Sequence, residues 1–439
     1  LGIPATGYSI CYELGIFRQK IQDGRQTEIA DDWRSAAESW LVTRSDEAVE
    51  VRFGGHIVPH WDNFGHYHAE HIGYTTVTAV PRDMLIAGYK GDTVNTLRLW
   101  DARSTTALDM YLFSEGEYVK SLEQRTMSEV ITKVLYPSDN HTEGKLLRLT
   151  QQYFLCSASV QSIIRDHMAV YGTLDNLPEK VAIHLNDTHP TLCIPELMRI
   201  LIDEYFYSWD VAWHMVTRIC SYTNHTVLPE ALETWNEDLF RLKLPRIHAI
   251  IKEINERFCR EAWQSFPGNW QRISTMSVIG YGQVRMANLA VIGSHSVNGV
   301  SKLHSTILKD TVFKDFFRLY PERFDNVTNG IAHRRWLCYS NPELAKLLDE
   351  TIGTGYRHNP VELAEFAKFA DDRDVLERFR SIKHNNKIAF ANHLYRKSGQ
   401  KLDTHAVFDV QITRLHEYKR QLLNALNIIG IFLDLRDNP

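Results

Sequence analysis

The chain has 439 residues, of which 44% are hydrophobic and 23% charged, a composition typical of a globular protein with room for two or three domains. Its 49 basic and 54 acidic residues give a formal net charge of −5, which argues against a general nucleic-acid binder because such proteins carry a basic excess. Uninterrupted apolar runs stay shorter than the roughly 18 residues that a membrane-spanning helix needs, so the sequence predicts no membrane span.

The six cysteines are widely spaced and form no C-x-x-C pair, a usage that fits reduced thiols and predicts a cytoplasmic protein. The first hundred residues predict β-structure: residues 51–53 and 75–80 alternate or are β-branched, with Gly and Pro between them. From about Ser121 the pattern becomes helical, and residues 146–164 carry apolar side chains at helical spacing.

A short buried strand is predicted at residues 181–185. The polar turn 186–190 follows it, and then a helix from about Ile194 to Tyr207. This order of strand, polar loop and helix is typical of an α/β domain, in which ligands gather at the carboxyl ends of the strands.

Two later segments resemble this unit. Residues 286–292 predict a helix that a polar break at 293–299 ends, and residues 407–412 predict a strand that leads into a basic segment and a helix to about Leu433. The polar stretch 325–341 is the candidate domain boundary.

Four basic residues, Arg414, His416, Lys419 and Arg420, lie within seven positions at this predicted strand-to-helix junction. A helix N-terminus presents free N–H groups, so added Arg and Lys side chains there favour an anion, above all a phosphate. The alternative is the solvated basic start of a surface helix, and the spacing alone does not decide between the two.

Five polar loops carry the donors and acceptors that sugar hydroxyls need, although each alone also fits turn or capping chemistry. The loops are residues 138–140, 186–189, 223–225, 293–295 and 328–330. No carboxylate pair can be singled out as a glycosidase acid and base.

Five histidines, His56, His60, His66, His68 and His71, fall within sixteen residues. They could bind zinc, but their spacing fits no known chelate pattern, and a histidine-rich β-hairpin explains them as well. We therefore assign no metal site.

Several long segments, in order along the chain, resemble the α-glucan phosphorylases, the family of glycogen, starch and maltodextrin phosphorylases. These segments are residues 7–17, 134–140, 186–190, 222–232, 293–300, 328–336 and 414–421. The resemblance implies an α/β fold of the glycosyltransferase-B type, with two Rossmann-like domains and a cleft between them. Residues 1–328 would form the N-terminal catalytic domain, and residues 329–439 the start of a C-terminal cofactor-binding domain that is only partly present.

The resemblance further implies reversible phosphorolysis of an α-1,4-glucan (glycogen, starch or maltodextrin) by inorganic phosphate, which yields α-glucose 1-phosphate with retention. The implied cofactor is pyridoxal 5'-phosphate, acting through its phosphate group, and the implied assembly is a homodimer. Because two phosphates must then share one site, concentrated positive charge is expected there.

Site residues carry over from the family by position in its motifs. Arg414 and Lys419 match phosphate-holding residues, and Arg414 also belongs to the cofactor site, where Trp336 forms an aromatic wall. His295 is expected nearest the reacting sugar. The residues expected to contact the glucosyl unit or the acceptor side of the cleft are Tyr136, Asp139, Asn140, Asp187, His189, Asn329 and Tyr418.

Two departures from the family pattern matter. Thr413 stands where the family usually has a phosphate-holding lysine, and the lysine that binds the cofactor covalently is expected to lie outside this chain. The sequence therefore predicts an incomplete chain that is inactive alone. The alternatives are a phosphorylase-like protein that binds glucan without catalysis, favoured by Thr413, and a metal hydrolase built on the histidine cluster.

Overall fold

The computed structural model describes residues 2–15, 17–61, 67–105, 107, 109–135, 137–410 and 419–438. It is a mixed α/β structure that divides into two units, Leu1–Asn329 and Gly330–Pro439. This division falls one residue from the predicted boundary at 328/329. The assignment of catalytic and cofactor-binding functions to the two parts stays a prediction.

The described strands all lie in the first unit. They are β1 (Thr6–Ile10), β2 (Phe17–Gln22), β3 (Arg25–Ala30), β4 (Val42–Thr43), β5 (Val49–Phe53), β6 (His56–Trp61), β7 (Tyr67–Ile72), β8 (Thr75–Ala87), β9 (Val94–Ser104), β10 (Ile183–Asn186), β11 (Cys220–Thr223), β12 (Thr234–Asn236), β13 (Ile279–Gly280), β14 (Gln283–Arg285), β15 (Ser296–Gly299) and β16 (Phe324–Asn326).

Helices follow the β-rich start and dominate the rest of the chain. Those of the first unit are α1 (Trp33–Ala37), α2 (Met110–Ser114), α3 (Tyr118–Glu129), α4 (Thr142–Tyr171), α5 (Leu177–Lys180), α6 (Cys193–Arg199), α7 (Trp209–Ile219), α8 (Glu237–Lys243), α9 (Pro245–Ser265), α10 (Trp270–Met276), α11 (Met286–Ile292), α12 (Lys302–Ile307) and α13 (Lys314–Leu319). Those of the second unit are α14 (Pro342–Ile352), α15 (Arg373–Ser398) and α16 (Gln421–Asp437).

The β-rich start predicted for the first hundred residues is confirmed. Its main sheet has the order β1-β9-β8-β4, and β5 also pairs with β8. The long antiparallel pair β8–β9 forms the centre of this sheet, while β1 runs parallel to β9 along its outer edge.

A second sheet is entirely parallel and has the order β10-β11-β15-β16. Its central side chains Leu185, Tyr222 and Val297 are fully buried and belong to the main hydrophobic core. Parallel sheets are usually covered on both faces, which accounts for this burial. The predicted strand and helix at residues 181–207 correspond to β10 and to α6, which continues as a short π-helix, Ile200–Glu204.

The longest helix, α4, contains the predicted helical segment 146–164. It begins where the ring nitrogen Nδ1 of His141 accepts the backbone N–H of Gly144 at 3.0 Å. It ends at Gly172, whose φ of 69° places it in the left-handed region that favours glycine at a helix C-terminus.

Residues 296–299, predicted as part of a polar break, form the buried strand β15 instead. Its polar residue Asn298 is tolerated because its amide Oδ1 accepts the hydroxyl of Thr223 at 2.8 Å and its Nδ2 donates to the carbonyl of Gly299. With β11 on one side and β16 on the other, main-chain pairing replaces the missing apolar pattern.

The second unit has a small core around Leu347, Val375 and Ile382. Residues 407–410 belong to no strand, and residues 411 and 412 lie outside the described part, so the strand predicted there is not found in what is described. A strand needs a neighbour for its hydrogen bonds, and the described residues of this unit provide none. The predicted final helix is confirmed as α16, which buries none of its residues.

The hairpin β6–β7 carries the histidine cluster, with His60 opposite His68 in the register. His66 lies outside the described residues, and the ring of His71 bonds the carbonyl of Gly54 at 2.7 Å. Within the described ranges, no group of three or more His, Cys, Asp or Glu side chains could hold a metal ion. In the same part of the chain, every helix is too short or too polar to cross a bilayer.

A buried polar network joins α4 to α6. The carboxylate of Glu196, fully buried on α6, accepts hydrogen bonds from the hydroxyls of Tyr153 and Ser157 on α4 at 2.8 and 2.7 Å. It also forms two bonds of 2.9 Å with the guanidinium of Arg199. Burial, and then the charge of Glu196, raise the pKa of Tyr153, which therefore stays protonated as a donor.

Removal of Glu196 should strongly destabilise the first unit. We expect Glu196→Ala to lower the free energy of unfolding by about 3–5 kcal/mol. Arg199 would keep only its half-exposed partner Glu204, and the hydroxyls of Tyr153 and Ser157 would lose their buried acceptor. The matched control Asp238→Ala breaks an exposed ion pair with Arg241 and should cost less than about 1 kcal/mol. Urea unfolding measures both variants, and equal losses would contradict this account of the network.

Candidate functional site

Short segments, most of them polar, follow the strands of the parallel sheet at their carboxyl ends. Because the four strands run in one direction, these ends lie along one edge of the sheet. The segments are residues 187–189 after β10, residues 224–226 after β11, Val300 after β15 and residues 327–329 after β16.

Main-chain hydrogen bonds extend the ladder beyond the strands and hold these segments in register. The N–H of Asp187 donates to the carbonyl of Thr223 at 2.9 Å, and the N–H of Asn224 donates to the carbonyl of Asn298 at 3.0 Å. The N–H of Asn329 donates in the same way to the carbonyl of Val300 at 3.1 Å. The edge is therefore a fixed platform.

A cavity of about 460 Å³ opens beside this platform, a size suited to a small ligand. It brings together Asp139, Asp187 and His189, three of the residues predicted from the sequence. Its other lining residues are Lys145, Leu146, Arg148, Leu149, Thr188, Thr226, Ala231, Glu233, Thr234, Trp235, Asn236, Leu239, Phe240 and Gln283.

The charges that line the cavity nearly cancel. Asp139, Asp187 and Glu233 contribute three carboxylates, and Lys145 and Arg148 contribute two cations. Arg148 pairs with Asp139 and lies 3.6 Å from Glu233. A nearly neutral lining rich in donors and acceptors suits a polar uncharged ligand better than a polyanion.

Glu233 is held by neighbours on α4 and on the loop after β10. Its Oε2 accepts the amide of Gln152 on α4 at 2.8 Å, and its Oε1 accepts the hydroxyl of Thr188 at 3.2 Å. Because Arg148 also faces Oε2, this carboxylate has few lone pairs left for a ligand. We therefore infer that Glu233 has a structural role: it holds the side chains of Gln152, Thr188 and Arg148 in place along the cavity wall.

Asp187 has an unusual backbone. Its φ is +66°, in the left-handed region that Asp and Asn adopt more readily than other non-glycine residues. Its Oδ1 accepts the N–H of Thr188 at 2.7 Å, a local bond that supports this turn. The sharp turn leaves the side chain of Asp187 on the cavity lining directly after β10.

The start of α4 supports the loop that holds Asp139 and Asn140. Gly144 in the first turn of α4 packs against the carbonyl of Ser138 so closely that a Cβ atom would overlap it. Asp139 faces the cavity, whereas the exposed Asn140 does not line it.

His295 does not lie with the other predicted residues. It precedes β15, and its N–H bonds the carbonyl of Cys220, the first residue of β11, at 3.0 Å. It therefore sits at the amino edge of the sheet, and a four-residue strand places that edge roughly 13 Å from the carboxyl edge. That His295 lies nearest the reacting sugar stays a prediction.

His225 is a residue that the sequence analysis did not assign, although it included the loop 223–225. It follows β11 directly, and its Nε2 lies 2.6 Å from Oδ1 of Asn186, so this nitrogen donates to the amide oxygen. The same strand–polar loop pattern that pointed to Asp187 could have identified it.

Two further histidines, His184 and His304, bond to residues near the carboxyl edge of the parallel sheet. The hydroxyl of Thr223 gives its proton to Asn298, so Nε2 of His184, 2.6 Å away, donates to Thr223. His304 is buried, and its Nδ1 accepts the N–H of Val300 at 3.1 Å. Burial, and secondly the nearby His225, lower the pKa of His304.

The remaining predicted residues lie elsewhere. Tyr136, Arg414 and Tyr418, and with them Thr413, fall outside the described residues. Trp336 lies in the second unit on a π-helix, Arg334–Tyr339, with 72% of its surface exposed. Lys419 is half-buried and lies two residues before Gln421, the first residue of α16.

Comparison with known proteins places this site in context. The whole chain, residues 1–439, matches the family model for carbohydrate phosphorylases. It is 46% identical over 438 residues to a glycogen phosphorylase of Bacillus subtilis, 44% over 450 residues to the muscle form of glycogen phosphorylase of Homo sapiens, and 43% over 442 residues to a glycogen phosphorylase of Synechocystis sp..

Each of these alignments covers 100% of this chain but only 54%, 53% and 52% of the respective relative. The chain thus spans about half the length of the curated relatives it matches. The family resemblance predicted from the sequence motifs is confirmed.

A methyl group at position 144 should disturb the cavity rim. We expect Gly144→Ala to cost about 1–3 kcal/mol of stability, because the new Cβ collides with the backbone of Ser138. The control Gly430→Ala on α16 meets no described atom within 4 Å and should be neutral or stabilising by up to about 1 kcal/mol. Urea unfolding compares them, and a Gly144→Ala midpoint equal to that of the parent would contradict the tight packing.

The lowered pKa of His304 makes stability depend on pH. The unfolded chain binds a proton near pH 6.5 while the folded chain resists it, so the free energy of unfolding should fall as the pH drops below about 6.5. His304→Asn keeps an acceptor for the Val300 N–H but cannot titrate, so its loss of stability between about pH 7 and 5 should be shallower. Chemical unfolding at several pH values tests this, and identical slopes would refute it.

Proposed function

This chain belongs to the carbohydrate phosphorylase family, and from that premise we propose that it is an α-glucan phosphorylase. The reaction is the reversible cleavage of an α-1,4-glucan by inorganic phosphate to α-glucose 1-phosphate with retention. The observation that carries the proposal is the alignment of the full chain with glycogen phosphorylases at 43–46% identity.

The glucan is the substrate that the cavity chemistry favours. Asp139, Asp187 and His189 line a nearly neutral polar cavity, which suits the hydroxyl groups of glycogen, starch or maltodextrin. We place the acceptor side of the glucan against Asp187 and His189, as the resemblance implies. Tyr136 belongs to the same side in this proposal.

The glucosyl unit that reacts is assigned to the carboxyl edge of the parallel sheet. Asn329 and His225 both follow strands that end at this edge. Asn140 belongs to the loop that precedes α4. His225 joins the predicted His295 in this proposal, because its ring stands at the same edge as Asp187 and has a fixed proton position through Asn186. Tyr418 is the further glucosyl contact that the resemblance implies.

Pyridoxal 5'-phosphate is the cofactor we infer, and its residues would come from the second unit. One described feature fits it: the indole of Trp336 is 72% exposed, so an apolar face is available to an aromatic ring. When bound, the cofactor supplies a phosphate group that tunes the proton donor of the reaction. Arg414 and Lys419 would hold phosphate, because guanidinium and ammonium groups neutralise the charge of two anions in one place.

The wider architecture is proposed on the same basis. Two Rossmann-like domains with the active site between them are what the family resemblance implies, and the four-stranded parallel sheet supports the first of them. The six cysteines are unpaired thiols, which supports a cytoplasmic protein.

A homodimer is the assembly that the resemblance implies. Exposed apolar side chains on α2 and α3 support it, since such patches commonly mark protein interfaces. They are Met110, Tyr111, Tyr118, Val119 and Met127.

The decisive experiment measures glucose 1-phosphate release from maltodextrin and phosphate. The protein expressed from its natural gene is assayed with and without added pyridoxal 5'-phosphate. Release that depends on both phosphate and the cofactor is the expected result. Folded protein that carries the cofactor but releases no product would refute the proposed activity and favour the alternative in which Thr413 disables catalysis.

Asp187→Asn should weaken glucan binding without affecting the fold. Asparagine also tolerates the left-handed backbone at this position, but it lacks the charge that strengthens hydrogen bonds to sugar hydroxyls. We expect roughly ten- to hundredfold weaker binding of maltoheptaose by calorimetry.

The control for that variant is Asp23→Asn, which also has a positive φ, of +52°, but lies in the exposed turn between β2 and β3. It should bind maltoheptaose like the parent. Unchanged binding by Asp187→Asn would remove Asp187 from the proposed site.

A further inference from the structure

A hydrogen bond between two exposed side chains links the chain segments at the carboxyl ends of β10 and β11. Asn186 is the last residue of β10, and His225 lies two positions after the last residue of β11. Oδ1 of Asn186 is 2.6 Å from Nε2 of His225. Because both side chains are exposed, this bond lies at the accessible edge of the sheet and not in the core.

The backbone around both residues is held in place. The register pairs Asn186 with Thr223, the last residue of β11. Asn224 is fully buried, and its side-chain Oδ1 accepts the N–H of Thr226 at 2.9 Å, a bond that spans His225. The two main chains therefore have fixed positions, and the side-chain bond sets the orientation of the imidazole ring.

The same bond determines which ring nitrogen of His225 carries the proton. The amide oxygen of Asn186 only accepts hydrogen bonds, so Nε2 is the donor. In a neutral imidazole the other nitrogen, Nδ1, then keeps its lone pair and is an acceptor. No residue in the described ranges bonds Nδ1 of His225, so the exposed ring offers this acceptor to a ligand.

A neutral partner suits an edge that carries three histidines. Burial, and secondly the nearby His225, lower the pKa of both His184 and His304, so the three rings are close enough to influence one another. Asn186 orients the ring of His225 without adding a charge. An aspartate there would stabilise an imidazolium, which has two donors and no acceptor. The amide therefore preserves an acceptor at this edge.

A hydroxyl group is the ligand group that this arrangement selects. It can donate its proton to Nδ1, whereas a fluorine or an ether oxygen has no proton to give. We propose that Asn186 is a positioning residue that holds the proton of His225 on Nε2 and so presents Nδ1 to a hydroxyl of the glucan. This inference deepens the proposed function and rests on its glucan substrate. Asn186 acts through His225 and needs no sugar contact of its own.

Asn176 offers a matched control in the same unit. Its Oδ1 lies 2.9 Å from Nε2 of His167, so this pair repeats the contact between Asn186 and His225. His167 is a buried residue of α4, and its Nε2 also lies 3.0 Å from the carbonyl of Thr173. Asn176→Ala therefore removes the same kind of amide partner, but from the segment that precedes β10 and not from the carboxyl edge of the sheet.

Nitrogen-15 NMR of histidine-labelled protein reports the proton position, and His225→Asn assigns the signals of this ring. At about pH 7.5 the parent should show the tautomer with the proton on Nε2. Asn186→Ala should add a fraction with the proton on Nδ1, Asn186→Asp should add imidazolium, and Asn176→Ala should leave the His225 signals unchanged. Identical His225 spectra in the parent and both Asn186 variants would overturn the proposal.

Calorimetry with maltoheptaose measures the consequence for the glucan. We expect about three- to tenfold weaker binding for Asn186→Ala, the effect of one poorly oriented hydrogen bond, and a change of less than about twofold for Asn176→Ala. Unchanged binding by Asn186→Ala would overturn the proposal and leave the proposed function intact. Equal weakening in both variants would also overturn it, because the effect would then be one of general packing.

Monodeoxy and monodeoxyfluoro analogues of maltotriose identify the hydroxyl that donates its proton. At that position, both replacements should weaken binding to the parent equally, by about three- to tenfold, and should cost less on Asn186→Ala, where the acceptor is already misplaced. If fluorine is tolerated at every position, no hydroxyl donates to the ring and the proposal is wrong. If the parent binds no maltooligosaccharide at all, the glucan assignment itself fails and this inference falls with it.

Discussion

The parallel alignment of β10, β11, β15 and β16 is the constraint on which the candidate site depends. Strand polarity decides which loops meet, because only segments at the same end of the strands share an edge. Main-chain bonds such as that from Asp187 to Thr223 extend the ladder into the loops, so the polar side chains stand on backbone that is as well bonded as the sheet. A site on such a platform loses little conformational entropy when a ligand binds.

Strand polarity also explains what sequence reasoning could and could not predict. The unit at residues 181–207 was predictable, because an apolar run, a polar turn and a helical pattern follow in order. β15 was not, because Ser296, Asn298 and Gly299 give no apolar signal, and only pairing with two neighbours makes it a strand. Once β15 is recognised, His295 necessarily falls at its amino end, away from Asp187.

The cavity wall shows a second limit of sequence patterns. Arg148 and Glu233 meet although 85 positions separate them in the chain, and Trp235, on a three-residue strand, lines the same cavity. None of the three belongs to a local pattern that suggests chemistry. Their roles follow from burial and from the count of hydrogen bonds each group makes, which are properties of the folded chain alone.

The long helix α4 links the cavity rim to the buried network around Glu196. Its first turn supports the loop of Asp139, and its middle carries Tyr153 and Ser157, which bond Glu196 in the core. A continuous helix of 30 residues moves largely as a rigid rod of about 45 Å. A displacement of the cavity rim therefore has to move the helix that carries Tyr153 and Ser157, which couples the rim mechanically to the buried carboxylate of Glu196.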